Sequence, residues 1–254
     1  MSARNSMARL TDSEEHSRPR LALLARLVNR LGGDRLYFPL ARLLYRLTIE
    51  GEHYIPDVGA CLFAINHESL MTDALVYRVI RRHRPDVCLF GWQNLRGESP
   101  MYDFLSHFGE TNLEERYLRA YKARGLSAGE LLRAREVLRQ GGAIIVGVEG
   151  ELTWDGRFQY PLAPGAAWLT LRTGAPVAPI VTTGGYDMWP RWQMDKLRLT
   201  GRITIRVGQP LTVCDTPITR LTEEALEAAN QRIWEAMAAL FPSPSFASPA
   251  DPPD

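Results

Sequence analysis

The sequence predicts an α/β fold, a mixed and largely parallel sheet flanked by helices, with amphipathic helices at the N-terminus. Short and nearly continuous apolar runs, typical of strands buried on both faces, occupy residues 61–65, 88–91, 143–148 and 177–181. Stretches with helical spacing separate these runs. Alternating strands and helices are typical of a sheet that is covered on both faces.

The composition predicts one domain without a metal or a cofactor. The chain has 254 residues, 45% of them hydrophobic, which is enough for a single domain over residues 20–241 between disordered tails at 1–19 and 242–254. Its net charge of +1 does not favour nucleic acid as a partner. The three widely spaced cysteines indicate neither a disulfide framework nor a zinc site, and a reducing cytoplasm fits. No signal peptide or membrane span is expected.

The first predicted structure is a pair of amphipathic helices over residues 20–47. Each helix carries apolar residues at positions i, i+3, i+4 and i+7, namely Leu24, Leu27, Val28 and Leu31, then Leu40, Leu43, Leu44 and Leu47. Arginines flank both stripes, an arrangement that interfacial helices use against anionic headgroups. Two interpretations remain open: peripheral contact with the cytoplasmic face of a membrane, or an ordinary helical pair packed on the domain.

The remaining elements follow from spacing and from helix-ending residues. Ser127 and Glu130 form a capping-box pattern, so a helix should run from there to the Gly141-Gly142 pair. The other predicted helices are 72–82, 100–108, 165–172 and 222–241. A short strand at 47–49 and two strands around Gly201 complete the expected set, and the charged segment 110–123 reads as helical or solvent-exposed.

Two predicted strands end in polar side chains. The strand at 61–65 runs into Asn66-His67-Glu68-Ser69, with Asp73 shortly after, and the strand at 143–148 ends at Glu149-Gly150. Strand exits of this kind are the usual location of catalytic groups in α/β proteins. A carboxylate a few residues beyond a histidine can accept the Nδ1 proton, so that Nε2 serves as a general base.

These blocks resemble the glycerolipid acyltransferase family, which includes lysophosphatidic acid acyltransferases. In order, they are Asn-His-x-Ser with a following aspartate, an Arg-Gly, a strand ending in Glu-Gly, a Pro-Gly-Ala helix and a Pro-Val-x-Pro strand. The resemblance covers residues 51–210. Patterns of a serine hydrolase, a Walker loop, a dinucleotide site or a zinc protease are not present in the sequence.

The resemblance implies transfer of a fatty acyl group from acyl-CoA or acyl carrier protein to a lysolipid hydroxyl. His67 would remove the hydroxyl proton and Asp73 would orient His67, with no covalent acyl-enzyme. Arg124 would hold an anionic headgroup, Glu149 would shape the acceptor site, and Gly150 would allow close approach. The implied partners are the thioester donor, the lysolipid acceptor and a membrane surface.

The sequence departs from the family pattern in the spacing of the proposed pair. Five residues separate His67 from Asp73 where the family usually has four, and Thr72 occupies the usual aspartate position. A one-residue bulge before the helix would restore the geometry. Glu68 is the alternative partner for the imidazole.

A second departure concerns the acceptor. The family's glutamate-glycine pair is commonly followed by threonine-arginine, whereas Glu151-Leu152 follow Gly150 here, and Arg157 is the candidate to reach the same region. A non-phosphate acceptor, such as an aminolipid or glycolipid, is therefore an alternative, as is a non-catalytic lipid-binding module. The aromatic segment 184–194 reads either as an acyl channel or headgroup contact, or as a covered edge of the core.

Overall fold

A computed structural model of the chain describes residues 38–93, 117–120, 128–190, 198 and 200–242. The predicted tail at 1–19, the first amphipathic helix and the helix at 100–108 lie outside the described residues. Arg124 and all but the first residue of the predicted tail at 242–254 lie outside them too.

In the described part of the chain, seven strands form one sheet. In chain order they are β1 (Thr48–Glu50), β2 (Cys61–Ile65), β3 (Cys88–Gln93), β4 (Tyr117–Ala120), β5 (Ala143–Gly147), β6 (Val177–Thr183) and β7 (Thr204–Val207). The order across the sheet is β1-β7-β6-β2-β5-β3-β4. Strands β6, β2, β5, β3 and β4 are parallel, and β7 pairs antiparallel with β6 and parallel with β1. The predicted mixed and largely parallel α/β class is confirmed.

Helices cover both faces of this sheet. They are α1 (residues 38–45), α2 (Leu70–His83), α3 (Ala128–Arg139), α4 (Gly165–Thr173), the one-turn α5 (Gly185–Met188) and α6 (Glu223–Ala238), with a 3₁₀ turn at Glu52–Tyr54. Alternate residues of β2 enter different apolar clusters, because successive strand side chains point to opposite faces. One cluster contains the apolar sides of α1 and α2, and the other those of α3, α4 and α6. Strand β2 is fully buried between them.

Two sequence predictions about the elements were wrong. The sequence predicts the charged segment 110–123 to be helical or solvent-exposed; the helical alternative is wrong for Tyr117–Ala120, which is the strand at one end of the sheet, paired with β3. Helix α2 begins at Leu70 rather than at residue 72, because Ser69 caps it. Around Gly201, the described residues contain β7 alone of the two expected strands.

Helix α1 buries a different side from the one that the leucine spacing indicated. Phe38 and Ala41 enter the core, whereas Leu40 and Leu43 are 54% and 77% exposed. The Arg82 guanidinium lies over the Phe38 ring at 4.4 Å, which covers this contact from outside. The helix is therefore packed on the domain, and an apolar strip still faces outward.

Candidate active site

The segment 66–69 leaves β2 at the carboxyl-terminal edge of the parallel strands, hereafter the carboxyl edge. Asn66 joins it to the end of β6: its side-chain oxygen accepts the Thr182 N–H at 2.7 Å, and its amide donates to the Thr182 carbonyl at 3.0 Å. Both residues are buried. This reciprocal pair fixes the point where the chain turns out of the sheet.

The backbone of His67 is held from the β5 side. Its N–H donates to Glu149 Oε2 at 2.6 Å, and its carbonyl accepts the Thr153 N–H at 2.9 Å. The second oxygen of Glu149 accepts the Gln159 N–H at 3.0 Å. Glu149 therefore bridges His67 and the loop that follows β5.

His67 and Asp73 lie together despite their five-residue spacing. Nδ1 of the ring and Oδ2 of the carboxylate are 2.7 Å apart, with the His67 side chain 23% exposed and that of Asp73 only 3%. The contact has the length of a hydrogen bond but not its ideal direction, as is common at active sites without a bound substrate. Asp73 occupies the first turn of α2, where the helix dipole stabilises a carboxylate.

The start of α2 explains why the partner is Asp73 and not a residue at position 72. Ser69 is the N-cap, and its hydroxyl accepts the Thr72 N–H, while the Thr72 hydroxyl accepts the Ser69 N–H, each at 3.3 Å. A side chain at position 72 is thereby turned toward the cap. No residue between His67 and Asp73 has a positive φ, so the extra residue is taken up by the extended Ser69 at φ −160° without a left-handed bulge.

Glu68, the alternative partner for the imidazole, points elsewhere. Its carboxylate accepts the N–H groups of Gly184 at 3.1 Å and Gly185 at 2.9 Å, and the Thr182 hydroxyl lies 3.3 Å away. Burial raises the pKa of Glu68 to about 7, although these hydrogen bonds oppose the rise.

Burial likewise raises the pKa of Glu149 to about 7, and the N–H groups of His67 and Gln159 oppose that rise. Glu68 and Glu149, two buried carboxylates beside His67, therefore titrate near neutral pH.

The remaining predicted site residues lie on the turn and loop after β5. Gly150 has φ +78°, and a Cβ added there would lie 3.1 Å from that of Ala163, so the turn requires glycine. Arg157 is 63% exposed, and its Nε lies 4.0 Å from the Asp155 carboxylate. The structure thus brings His67, Asp73 and Glu149 together, with Gly150 and Arg157 on the adjoining chain.

The aromatic segment 184–194 is largely a covered core edge in its described part. Met188 and Trp189 are buried in the apolar cluster of α1 and α2. Tyr186 is half-buried, and its hydroxyl donates to the Trp154 carbonyl at 3.0 Å. Trp192 and Met194 lie outside the described residues.

Sequence reasoning missed Thr153, Thr182 and the Gly184-Gly185 pair. Two threonines carry no local signal of their own, because their partners lie far away along the chain. The adjacent glycines after a strand were the one available sign of a close approach.

Two searches of the described residues bear on cofactors and membranes. Within 38–93, 117–120, 128–190, 198 and 200–242, no group of three or more His, Cys, Asp or Glu side chains has an arrangement that would hold a metal ion. In the same part of the chain, every helix is too short or too polar to cross a bilayer.

The arrangement suits proton transfer. Asp73 lies beside Nδ1, so that Nε2 is on the far side of the ring, and the backbone of His67 is fixed at both its N–H and its carbonyl. A histidine held in this way can take a proton at Nε2 from an attacking hydroxyl and return it to a leaving group.

Comparison with known proteins identifies the family of the chain. None of the curated proteins compared matches it. The crystal structure of the 1-acyl-sn-glycerophosphate (LPA) acyltransferase PlsC from Thermotoga maritima has a similar fold, with a TM-score of 0.54 and 18% identity over 94% of this chain and 84% of that chain. The family model described as Acyltransferase matches residues 46–183, more than half of the chain. The resemblance seen in the sequence motifs is confirmed, and the chain belongs to the acyltransferase family.

Proposed function

We propose that the protein transfers a fatty acyl group from an acyl thioester, acyl-CoA or acyl carrier protein, to a hydroxyl of a lysophospholipid-type acceptor. The observation that carries the proposal is the 2.7 Å contact between His67 Nδ1 and Asp73 Oδ2 at the carboxyl edge. Membership of the acyltransferase family supports the reaction class.

The proposed reaction needs no acyl-enzyme. Nε2 of His67 takes the acceptor's proton while the hydroxyl oxygen forms a bond to the thioester carbonyl carbon, and the carbonyl electrons move onto oxygen. The tetrahedral intermediate then collapses, the C–S bond breaks, and the leaving sulfur takes the proton from the imidazolium. Asp73 stabilises the imidazolium between these steps. A positioned general base contributes roughly 10²- to 10⁴-fold to the rate.

The acceptor headgroup is proposed to contact the loop after β5. Arg157 is exposed on the same loop as Thr153, whose N–H holds the His67 carbonyl, which supports a headgroup contact from this loop. Gly150 and Arg124 are proposed for the same headgroup region, the latter from the sequence alone. If Arg157 binds phosphate, Arg157→Gln raises KM for a phosphate-bearing acceptor and leaves KM for an acceptor without phosphate unchanged.

A non-phosphate acceptor remains the second candidate, and one observation favours it. The described charged side chains closest in sequence to His67 and Gly150 are acidic: Glu68, Asp73, Glu149 and the exposed Glu151. An aminolipid or a neutral glycolipid would meet less repulsion there than a phosphate. A panel of lysophosphatidate, lyso-aminolipid and glycolipid acceptors with one acyl-CoA donor decides between the two candidates by kcat/KM.

Membrane attachment is proposed through α1 on the cytoplasmic face. Leu40 and Leu43 are exposed apolar side chains, and Arg42 and Arg46 are exposed beside them, as suits an anionic lipid surface. Deleting residues 20–47 would also remove Phe38 and Ala41 from the core. The Leu40→Ser/Leu43→Ser variant therefore tests the contact more cleanly.

That variant should bind anionic vesicles less than the wild type does in a sedimentation assay. Val58→Ser serves as the matched control, since Val58 is 83% exposed on a turn outside α1. Undiminished binding of the double variant would reject the membrane contact through α1.

The central experiment measures thiol release from acyl-CoA with and without a lysolipid acceptor. Acceptor-dependent release that His67→Ala removes supports the enzyme. Lipid binding without turnover supports instead a non-catalytic lipid-binding module on the same fold.

A further inference from the structure

Glu68 has a buried carboxylate that the proposed chemistry does not use. It follows His67 directly, and it receives the backbone N–H groups of Gly184 and Gly185 and contacts the Thr182 hydroxyl. Hydrogen bonds to a carboxylate are among the stronger ones in proteins, and leaving such donors buried without a partner is costly. The contact therefore joins the residue after His67 firmly to the chain after β6.

The chain after β6 is shaped to make this contact. Gly184 has φ +93°, and a Cβ there would lie 2.0 Å from the Arg202 carbonyl oxygen. At Gly185 a Cβ would lie 2.3 Å from Thr72 Cγ2 and 2.9 Å from Glu68 Oε2. Both positions exclude a side chain, since real Cβ atoms do not approach other atoms so closely. The two glycines let the backbone come within hydrogen-bonding distance of Glu68.

The same contact reaches both members of the proposed catalytic pair. Glu68 is the residue after His67, and Thr72, against which Gly185 packs, is the residue before Asp73. Displacement of Gly185 would therefore act on both ends of the segment that connects His67 to Asp73. On the opposite side, Glu149 holds the N–H of His67.

We propose that Glu68 is a positioning residue for acyl transfer, which holds the His67 ring in register with Asp73 through its contact with Gly184 and Gly185. This inference rests on the proposed function. Glu68 acts through the backbone and does not touch the reacting groups. A misplacement of about 1 Å in a catalytic geometry can cost on the order of 10²-fold in rate.

Kinetics of three variants and one control test the proposal. Glu68→Ala lowers kcat by about 10- to 100-fold and leaves KM for the thioester within about threefold, because geometry is lost and substrate contacts are kept. Glu68→Gln retains one accepting oxygen and loses less. Gly185→Ala displaces the same contact from the other side. Asp187→Asn, which removes an exposed carboxylate from the same one-turn helix, leaves kcat unchanged.

A double-mutant cycle separates positioning from general loss of stability. If Glu68→Ala and Gly185→Ala break one contact, the double variant loses much less kcat than the product of the two single losses. Circular dichroism and thermal melting give the folded fraction, by which kcat is corrected. A corrected kcat of Glu68→Ala within twofold of the wild type overturns the proposal, and so do fully multiplicative losses.

A crystal structure of Glu68→Ala provides a measurement that needs no turnover. The expected result is a longer separation of His67 Nδ1 and Asp73 Oδ2 than the present 2.7 Å. An unchanged separation overturns the proposal. Failure of the proposed function would appear differently, as a wild-type protein that transfers no acyl group to any acceptor in the panel.

Discussion

Two histidines lie beside carboxylates at opposite ends of the parallel strands, His67 at the carboxyl edge and His83 at the amino-terminal edge. At the carboxyl edge, His67 contacts Asp73 through Nδ1. At the other edge, where α2 ends, His83 lies between two carboxylates, with Nε2 3.0 Å from Glu52 Oε1 and Nδ1 3.6 Å from Asp57 Oδ1. Both arrangements would satisfy a search for a histidine next to an acid.

The two sites differ in the burial of the carboxylate and in the contacts that hold the histidine. The Asp73 side chain is buried, and Glu149 and Thr153 fix the backbone of His67 on both sides. Around His83 the carboxylates are partly or largely exposed, and each ring nitrogen faces one of them, so neither nitrogen is directed to a substrate. A carboxylate next to a histidine is therefore not sufficient for a general base. A fixed ring with one nitrogen facing away from the acid is also required.

The largest expected difference between the two edges is in the rate of acyl transfer after each histidine ring is removed. His67→Ala should lower the rate of acceptor-dependent thiol release by about 10²- to 10⁴-fold, because the proposed general base is lost. His83→Ala should stay within about threefold of the wild type. Comparable losses in the two variants would remove the distinction between the edges, as would an active His67→Ala protein.

The next largest effect on kcat is expected from changes to Asp73 and to its spacing from His67. Asp73→Asn should lower kcat by about 10²-fold or more, since the imidazolium loses its stabilising charge. Exchanging the residues, Thr72→Asp with Asp73→Thr, restores the spacing usual in the family but should not restore kcat, because position 72 faces the Ser69 cap. Glu52→Gln, beside His83, is the control. Recovery in the exchanged variant would show that the cap does not decide the partner.

The buried Glu149 at the carboxyl edge and Glu52 at the other edge should also contribute to the free energy of unfolding with opposite dependence on pH. Burial raises the pKa of Glu149 from 4.5 to about 7. The folded state therefore keeps this proton up to a higher pH than the unfolded state does. The stabilisation present below pH 4.5 is lost as the pH rises through about 7. The Glu149→Gln variant lacks this loss. Between pH 5 and 8 the wild type should lose up to about 3 kcal/mol relative to it, since one pKa unit corresponds to about 1.4 kcal/mol.

Urea denaturation at several pH values measures this difference, with the exposed Glu136→Gln on α3 as control. At the other edge, the pH dependence of the stabilisation has the opposite sign, because the pKa of Glu52 is lowered and not raised. Burial opposes ionisation of Glu52, but hydrogen bonds from His83 and Arg82 lower its pKa, so its stabilisation is present above the unfolded value and is lost on acidification. Parallel pH curves for wild type and Glu149→Gln would contradict the raised pKa.

The smallest expected effect is the removal of the ion pairs near His83. Glu52→Gln should lower the free energy of unfolding by about 0.5 kcal/mol at neutral pH, because its partners are partly exposed and salt screens such pairs. The loss should shrink in 1 M salt. A loss of several kcal/mol would mean that this edge is as tightly organised as the carboxyl edge.

The sequence alone determined the largely parallel α/β class, the strand that ends before His67, and the family. Continuous apolar runs and helical spacing are local properties, so they can be recognised without knowing which segments meet. The motif order identified the family before any geometry was known. The same reasoning placed His67 and Glu149 at strand exits, the usual location of catalytic groups in α/β proteins.

Only the tertiary structure decided how these residues are used. Thr72 turns toward the Ser69 cap and leaves Asp73 for His67, Glu149 binds the backbone of His67, and Glu68 turns away to Gly184 and Gly185. Two of these choices, those of Glu149 and Glu68, depend on contacts between residues that lie 82 to 117 positions apart. Periodicity along the chain records which face of an element is buried, but not which distant donor a side chain will reach.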